Sequence, residues 1–174
     1  MEANLNIEGM DQLKRKLDQL SNIKVANRIA RKAGRQAMNI VRNAARAGAK
    51  AIDDPETREM IYKNIMVASG KTKGPDTMVM RVGVNGGAGA NRYSLNIVQK
   101  ERRKKGEPKQ ELAENTIALA GGNTRHFKYV ELGTSQMKAT PFLRPALEKN
   151  IDTVSNKFVQ VFDAEITKAL SGVT

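Results

Sequence analysis

YVELGTSQMKATPFLRPAL, residues 129–147, is the stretch on which the reading of this chain turns. Tyr129-Val130-Glu131-Leu132 is short, aromatic and β-branched and runs straight into Gly133, the pattern of a strand that stops at a sharp turn. Pro141 and Pro145 each fix their own φ and push Thr140 and Arg144 out of the helical region. Pro145 suits the first position of a following helix, where a missing N–H costs nothing. The segment is too rigid for a linker and poor in catalytic groups, so it reads as a fixed elbow presenting a surface. Within it Glu131 is expected to pair with a cation, Arg144 first, and Phe142 to anchor in a pocket of its own or a neighbouring subunit.

Downstream, Leu147, Ile151, Val154, Phe158, Val161, Phe162, Ile166 and Ala169 recur on one side of a helix expected over 145–170. That helix should clamp the sheet and leave some apolar surface for a neighbour. Upstream, 23–52 reads as one long helix with eight basic residues and no acidic one. At 100° per residue, Lys24, Arg28, Arg31, Lys32, Arg35, Arg42, Arg46 and Lys50 fall within about a 100° arc. Ile29, Ala33, Ala37, Ile40, Ala44, Ala47 and Ala51 lie broadly opposite as a narrow packing strip. Like charges four apart repel, so the stripe gains from an anionic neighbour. Three surroundings fit it: water, the acidic surface of another subunit, or DNA phosphates.

Before the long helix, Leu5 and Ile7 suggest a short strand, Asp11 an N-cap, and Leu13, Leu17 and Leu20 a first helix broken at Ser21-Asn22. After it come Asp53-Asp54-Pro55 as a stop, a short helix over 56–62, and extended segments at 65–68 and 77–84 joined by a Gly- and Lys-containing hairpin loop. Met78, Met80, Val82 and Val84 face one way in the second of these, as a half-buried strand requires. Residues 86–124 read as a flexible basic insertion. Tyr93, Leu95 and Ile97 fit a strand or a helix start, 111–120 a short helix ended by Gly121-Gly122, and Lys100, Arg102, Arg103, Lys104 and Lys105 a solvated loop or an arm ordered by an acidic partner or DNA.

A chain of 174 residues with 40% hydrophobic content is one domain by length, and its core must be aliphatic because aromatics are only 4%. Without Cys there is no disulfide framework or thiolate chemistry. No apolar run approaches the ~20 residues that cross a bilayer, which points to synthesis in the cytoplasm and no membrane partner. A net charge of +12 favours anionic partners of any kind. Gly70-Lys71-Thr72 is no phosphate loop, since the required earlier glycine is Ile65. His126 is a lone histidine, and the adjacent Asp53 and Asp54 suit a helix end better than an acid/base pair. Neither a cofactor, a metal site nor an enzyme is expected.

The segment from Tyr129, Val130, Glu131, Leu132, Gly133, Thr134 and Ser135 to Pro141, Phe142, Leu143, Arg144, Pro145 and Ala146 resembles the C-terminal signature of the tail-component family of lambda-like siphophages. The opening IEGMDQLKRKLDQL, residues 7–20, is similar to that family's N-terminal segment. Arg58 stands where many members carry a glycine, and 86–124 shows no similarity. The resemblance implies a virion protein of the head–tail junction, working as a homo-oligomeric ring, hexameric like the tail tube. Tail-tube, terminator or head-completion proteins would be its partners, and Tyr129, Glu131, Gly133, Thr134, Pro141, Phe142, Leu143, Arg144 and Pro145 would form the interface. The alternatives are a tail terminator that caps tube growth and a non-specific DNA-binding protein in the neck. The expected fold is α+β: a small, mainly antiparallel sheet with the long basic helix and the C-terminal amphipathic helix packed on one face.

Overall fold

Alternating and helical periodicities both appear in the observed α+β fold, laid out in a computed structural model that describes residues 10–18, 20, 23–53, 56–57, 59–72, 74, 77–87, 89 and 94–172. In chain order the elements are α1 (Met10–Asp18), α2 (Ile23–Ile52), α3 (Ile61–Asn64), β1 (Ile65–Ser69), β2 (Met80–Val84), β3 (Asn96–Gln99), β4 (Thr116–Leu119), α4 (Phe127–Leu132), α5 (Leu143–Glu148) and α6 (Ile151–Leu170). The expected strand at Leu5–Ile7, the Asp11 cap, the break at Ser21-Asn22, the stop at Asp54-Pro55, Arg58 and Tyr93 lie outside the described residues or side chains. Backbone contacts divide the chain into two compact units, one of 1–41, 67–81 and 150–174, the other of 42–66 and 82–149.

In the first unit, Leu13, Ile29, Ala33, Phe162 and Ile166 form a buried cluster joining α1, α2 and α6. Phe158 and Phe162 stack at 5.3 Å between ring centroids, and Lys32 Nζ donates to Glu165 Oε2 at 2.6 Å. Burying Phe162 and Ile166 contributes about 1.5–3 kcal/mol each. So α6 buries its apolar side against helices, whereas a clamp on the sheet was expected. Its upstream end also differs: Leu147 and Ile151 are exposed, and α5 and α6 are separate helices with a turn at Lys149-Asn150. Pro145 consequently sits in the third position of α5, still within the first turn whose N–H groups need no helical acceptor.

β1 and β2 pair as an antiparallel hairpin, with the Gly70 N–H donating to Val79 O at 2.8 Å beyond the strand end. Met78, Met80, Val82 and Val84 are half-buried while Val79 and Arg81 are exposed, as the alternation requires. In the second unit β3 and β4 pair in parallel, Asn96 opposite Thr116 through Gln99 opposite Leu119. The helix expected over 111–120 is therefore wrong: its Thr-Ile-Ala-Leu segment is β4, because a strand partner offers backbone bonds that a short apolar run cannot specify for itself. Parallel neighbours need a long return, and the basic run 100–109 lies within it. The helix expected over 56–62 is a turn at Glu56-Thr57 followed by the four-residue α3.

The buried row of α2 is Ile29, Ala33, Ala37, Val41, Ala45 and Ala49, every fourth residue. Four residues advance a helix by about 40° past a full turn, so such a row winds about 200° over five steps. The fixed strip expected through Ile40, Ala44, Ala47 and Ala51 is thus corrected: it holds as far as Ala37, after which the row moves to Val41, Ala45 and Ala49 and leaves Ala47 and Ala51 exposed.

Candidate functional site

The 129–147 stretch is an elbow, built differently from expectation. Tyr129-Val130-Glu131-Leu132 is helical, the second half of α4, and not a strand. Its Gly133 N–H donates to Tyr129 O at 2.8 Å, closing the helix, and Gly133 then takes φ 75° and ψ 179°. That conformation is essentially open to glycine alone, and a Cβ there would lie 2.8 Å from the Ala139 nitrogen and 2.9 Å from Met137 O. Thr134 Oγ1 accepts the N–H groups of Gln136 and Met137, its own N–H donates to Met137 O, and the Thr140 N–H returns to Val130 O at 2.8 Å. The loop is tied at both ends.

Glu131 supplies the join to the next helix. Its Oε2 accepts the N–H groups of Phe142 and Leu143 at 2.8 and 2.9 Å, and its Oε1 that of Arg144 at 3.0 Å. The expected partner was the Arg144 side chain; the actual partner is the free N-terminal backbone of α5, where N–H groups and helix dipole both favour a carboxylate. No residue at the α5 N-cap could do this, since Phe142 has no acceptor. Asp53 plays the same part for α3, its two carboxylate oxygens accepting the N–H groups of Ile61 and Tyr62 at 3.2 and 3.3 Å.

Phe142 is 4% exposed and lies against Gly48 of α2, where an added Cβ would approach the Phe142 Cβ at 3.2 Å. Its pocket is therefore within its own chain. Ala146 is buried, and Leu143 and Pro145 are half-buried. Pro141 and Arg144 face outward, as does Tyr129 at 48% exposure, its ring beneath the Lys128 ammonium at 4.7 Å. Three apolar residues outside the expected interface set are exposed as well: Leu132 at 67%, Leu147 at 46% and Met137 at 42%. Leu147 reads in sequence as part of the apolar side of the last helix. The exposure of Leu132 at the end of α4 and of Met137 in the loop after Gly133 gave no sequence signal, because only the folded turn shows which way they point.

The cationic stripe is not uniform. Lys24, Arg28, Arg31, Lys32, Arg35 and Lys50 are exposed, and Lys32 is paired with Glu165. That bond from Lys32 holds the Glu165 carboxyl below the usual carboxylate range; burial opposes it, and the charges of Lys32 and Lys168 reinforce it. Arg42 and Arg46 are half-buried. Arg42 donates to Asn43 Oδ1, and the Arg46 guanidinium chelates Ile65 O at 2.8 and 3.1 Å. Burial and then the neighbouring Arg42 charge lower the Arg46 pKa from its ordinary value. The winding of the buried row brings Arg42 and Arg46 toward the packed side, which removes both from the outward stripe expected of them.

The basic loop is exposed from Lys100 to Lys109. Arg103 Nη1 donates to Glu107 O at 2.9 Å, and Glu107 Oε2 accepts the Lys104 N–H at 2.7 Å, so the tip is a closed turn. Gln110 bridges back, accepting the Glu101 N–H and donating to Gln99 O, both at 3.2 Å. Behind it, buried Asn64 donates to Gly122 O and Thr124 Oγ1 and accepts the Gly121 N–H at 2.8–2.9 Å, a link the sequence did not reveal. His126 Nδ1 lies 3.5 Å from Glu59 Oε2, both side chains near half exposure. Among the described residues no three His, Cys, Asp or Glu side chains are grouped to hold a metal ion, and no helix is long and apolar enough to cross a membrane.

No protein-family model matches the chain, and no curated protein or solved structure matches it significantly.

Proposed function

We propose that this chain is a structural protein of a tailed bacteriophage, acting at the neck to complete the tail and join it to the head as a homo-oligomeric ring. The reading rests on the resemblance carried by Tyr129–Ser135 and Pro141–Ala146. One structural observation supports it: the elbow is braced internally by Glu131, Gly133 and Thr134, yet leaves Tyr129, Leu132, Met137 and Leu147 exposed. A rigid frame displaying apolar side chains suits adhesion, because little conformational freedom is lost on docking. Copies meeting through unlike surfaces close into a ring when the rotation permits.

The test is complementation. Particles lacking this chain should have normal tail tubes that fail to join heads, and the purified protein should bind those tubes as a multimer. A tail-terminator role predicts overlong tubes instead. A strict monomer that leaves tails unjoined when added back would remove the neck assignment altogether.

A further inference from the structure

A cleft of about 830 Å³ opens in the second unit beside the basic loop, lined by Met60, Lys63, Gln99, Lys100, Glu101, Arg102 and Ala120. Its cations come from two places in the chain, Lys63 from α3 and Lys100 and Arg102 from the segment after β3. Glu101 is the one carboxylate in the lining, against three cations. A second cleft, of about 240 Å³, shares Lys100 and Glu101 and adds Arg103 and Lys109 from the loop, with Leu112 and Ala118 as its apolar wall outside the loop. None of Lys63, Lys100, Arg102, Arg103, Lys104, Lys105 or Lys109 forms a salt bridge among the described residues. Glu107, the acid nearest the tip, is occupied with the Lys104 backbone N–H and so fixes the turn rather than neutralising an ammonium group.

We propose that this cleft and loop form a nucleic-acid contact site that binds the phosphate backbone without reading bases. The chemistry favours phosphates over an acidic protein surface. Protein interfaces draw their energy from apolar and aromatic side chains at a desolvated centre. The run KERRKKGEPK, residues 100–109, has no apolar side chain but proline and no aromatic ring. Binding to phosphates needs only unpaired cations held where they can release counterions. The same run has no aromatic ring for stacking bases, so sequence preference should be absent. The closed tip and the Gln110 bridges hold the backbone in place before any ligand arrives.

This site is separate from the exposed apolar residues of the elbow, and its test does not depend on ring formation. Fluorescence anisotropy with mixed-sequence 20-base-pair duplexes should give micromolar or weaker binding near physiological salt, equal across sequences. The triple variants K100E/R102E/K105E and K100Q/R102Q/K105Q should weaken binding at least tenfold. The neutral variant should also lower the slope of log affinity against log salt by about one for each phosphate it no longer neutralises. R28E/R31E/R35E on α2 serves as the charge-matched control and should bind within threefold of the parent. Loss of binding in the α2 variant with the loop variants unchanged overturns the proposal. So does polyglutamate binding more tightly than a duplex of equal charge, which would mark an acidic-protein site.

Discussion

At residue scale the elbow depends on one carboxylate and one glycine. Removing the Glu131 side chain strands three backbone N–H groups at the start of α5. Leaving such donors without acceptors costs about 1–3 kcal/mol, so Glu131→Ala should lower the urea midpoint accordingly. Arg144→Ala tells the two readings of Glu131 apart. An ion pair between the side chains would make both variants equally damaging. The observed geometry instead predicts a change within about 0.5 kcal/mol for exposed Arg144. Gly133→Ala forces a Cβ into the Met137–Ala139 backbone at a glycine-only conformation and should cost about 1–3 kcal/mol. The sequence did reveal that Gly133 turns the chain and that Phe142 is an anchor. What Glu131 binds was hidden, because a carboxylate capping a helix eleven residues downstream leaves no spacing rule to read.

Among elements, α2 was the easiest to read and the easiest to misplace. Its length and helicity follow from a run without proline and rich in alanine, and the observed ends match the expected ones. A helical wheel assumes one fixed face, however, and the buried row of α2 winds from Ile29 to Ala49. Ala45→Leu and Ala47→Leu separate the two descriptions. Ala45 is fully buried, so the larger side chain should cost about 1–3 kcal/mol through overpacking. Ala47 is exposed and its replacement should lie within about 0.5 kcal/mol of the parent. The β3–β4 pair was illegible for a different reason: parallel partners lie far apart in sequence, and neither four-residue strand carries a period that distinguishes it from a helix turn. A pH dependence belongs to the α2–α6 tie. Glu165 is held below the ordinary carboxylate range in the folded chain, chiefly by the Lys32 hydrogen bond. Its contribution is therefore complete above the unfolded carboxylate pKa and is lost as pH falls through the lower folded value. Acid titration of stability should be shallower at its lower end in Glu165→Gln than in the parent.

For the molecule as a whole, a charge of +12 opposes any association between copies while the exposed Leu132, Tyr129 and Leu147 favour it. The two kinds of partner proposed for this chain should respond differently to salt. Raising ionic strength from 0.1 M to 1 M shortens the Debye length from about 10 Å to about 3 Å. Repulsion between like-charged copies is then screened, while apolar contact is undiminished, so self-association through the elbow should hold steady or tighten. Phosphate binding at the Lys100–Lys105 loop should fall steeply over the same range because it is driven by counterion release. Mass photometry of the protein alone and anisotropy with duplex DNA, run on one salt series, give the comparison. Leu132→Asp with Leu147→Asp should abolish the multimer and leave duplex affinity unchanged, since both side chains are already in water and neither lies in the basic cleft. A multimer that dissociates with salt in parallel with DNA release would mean that charge, not the apolar elbow, holds the copies together.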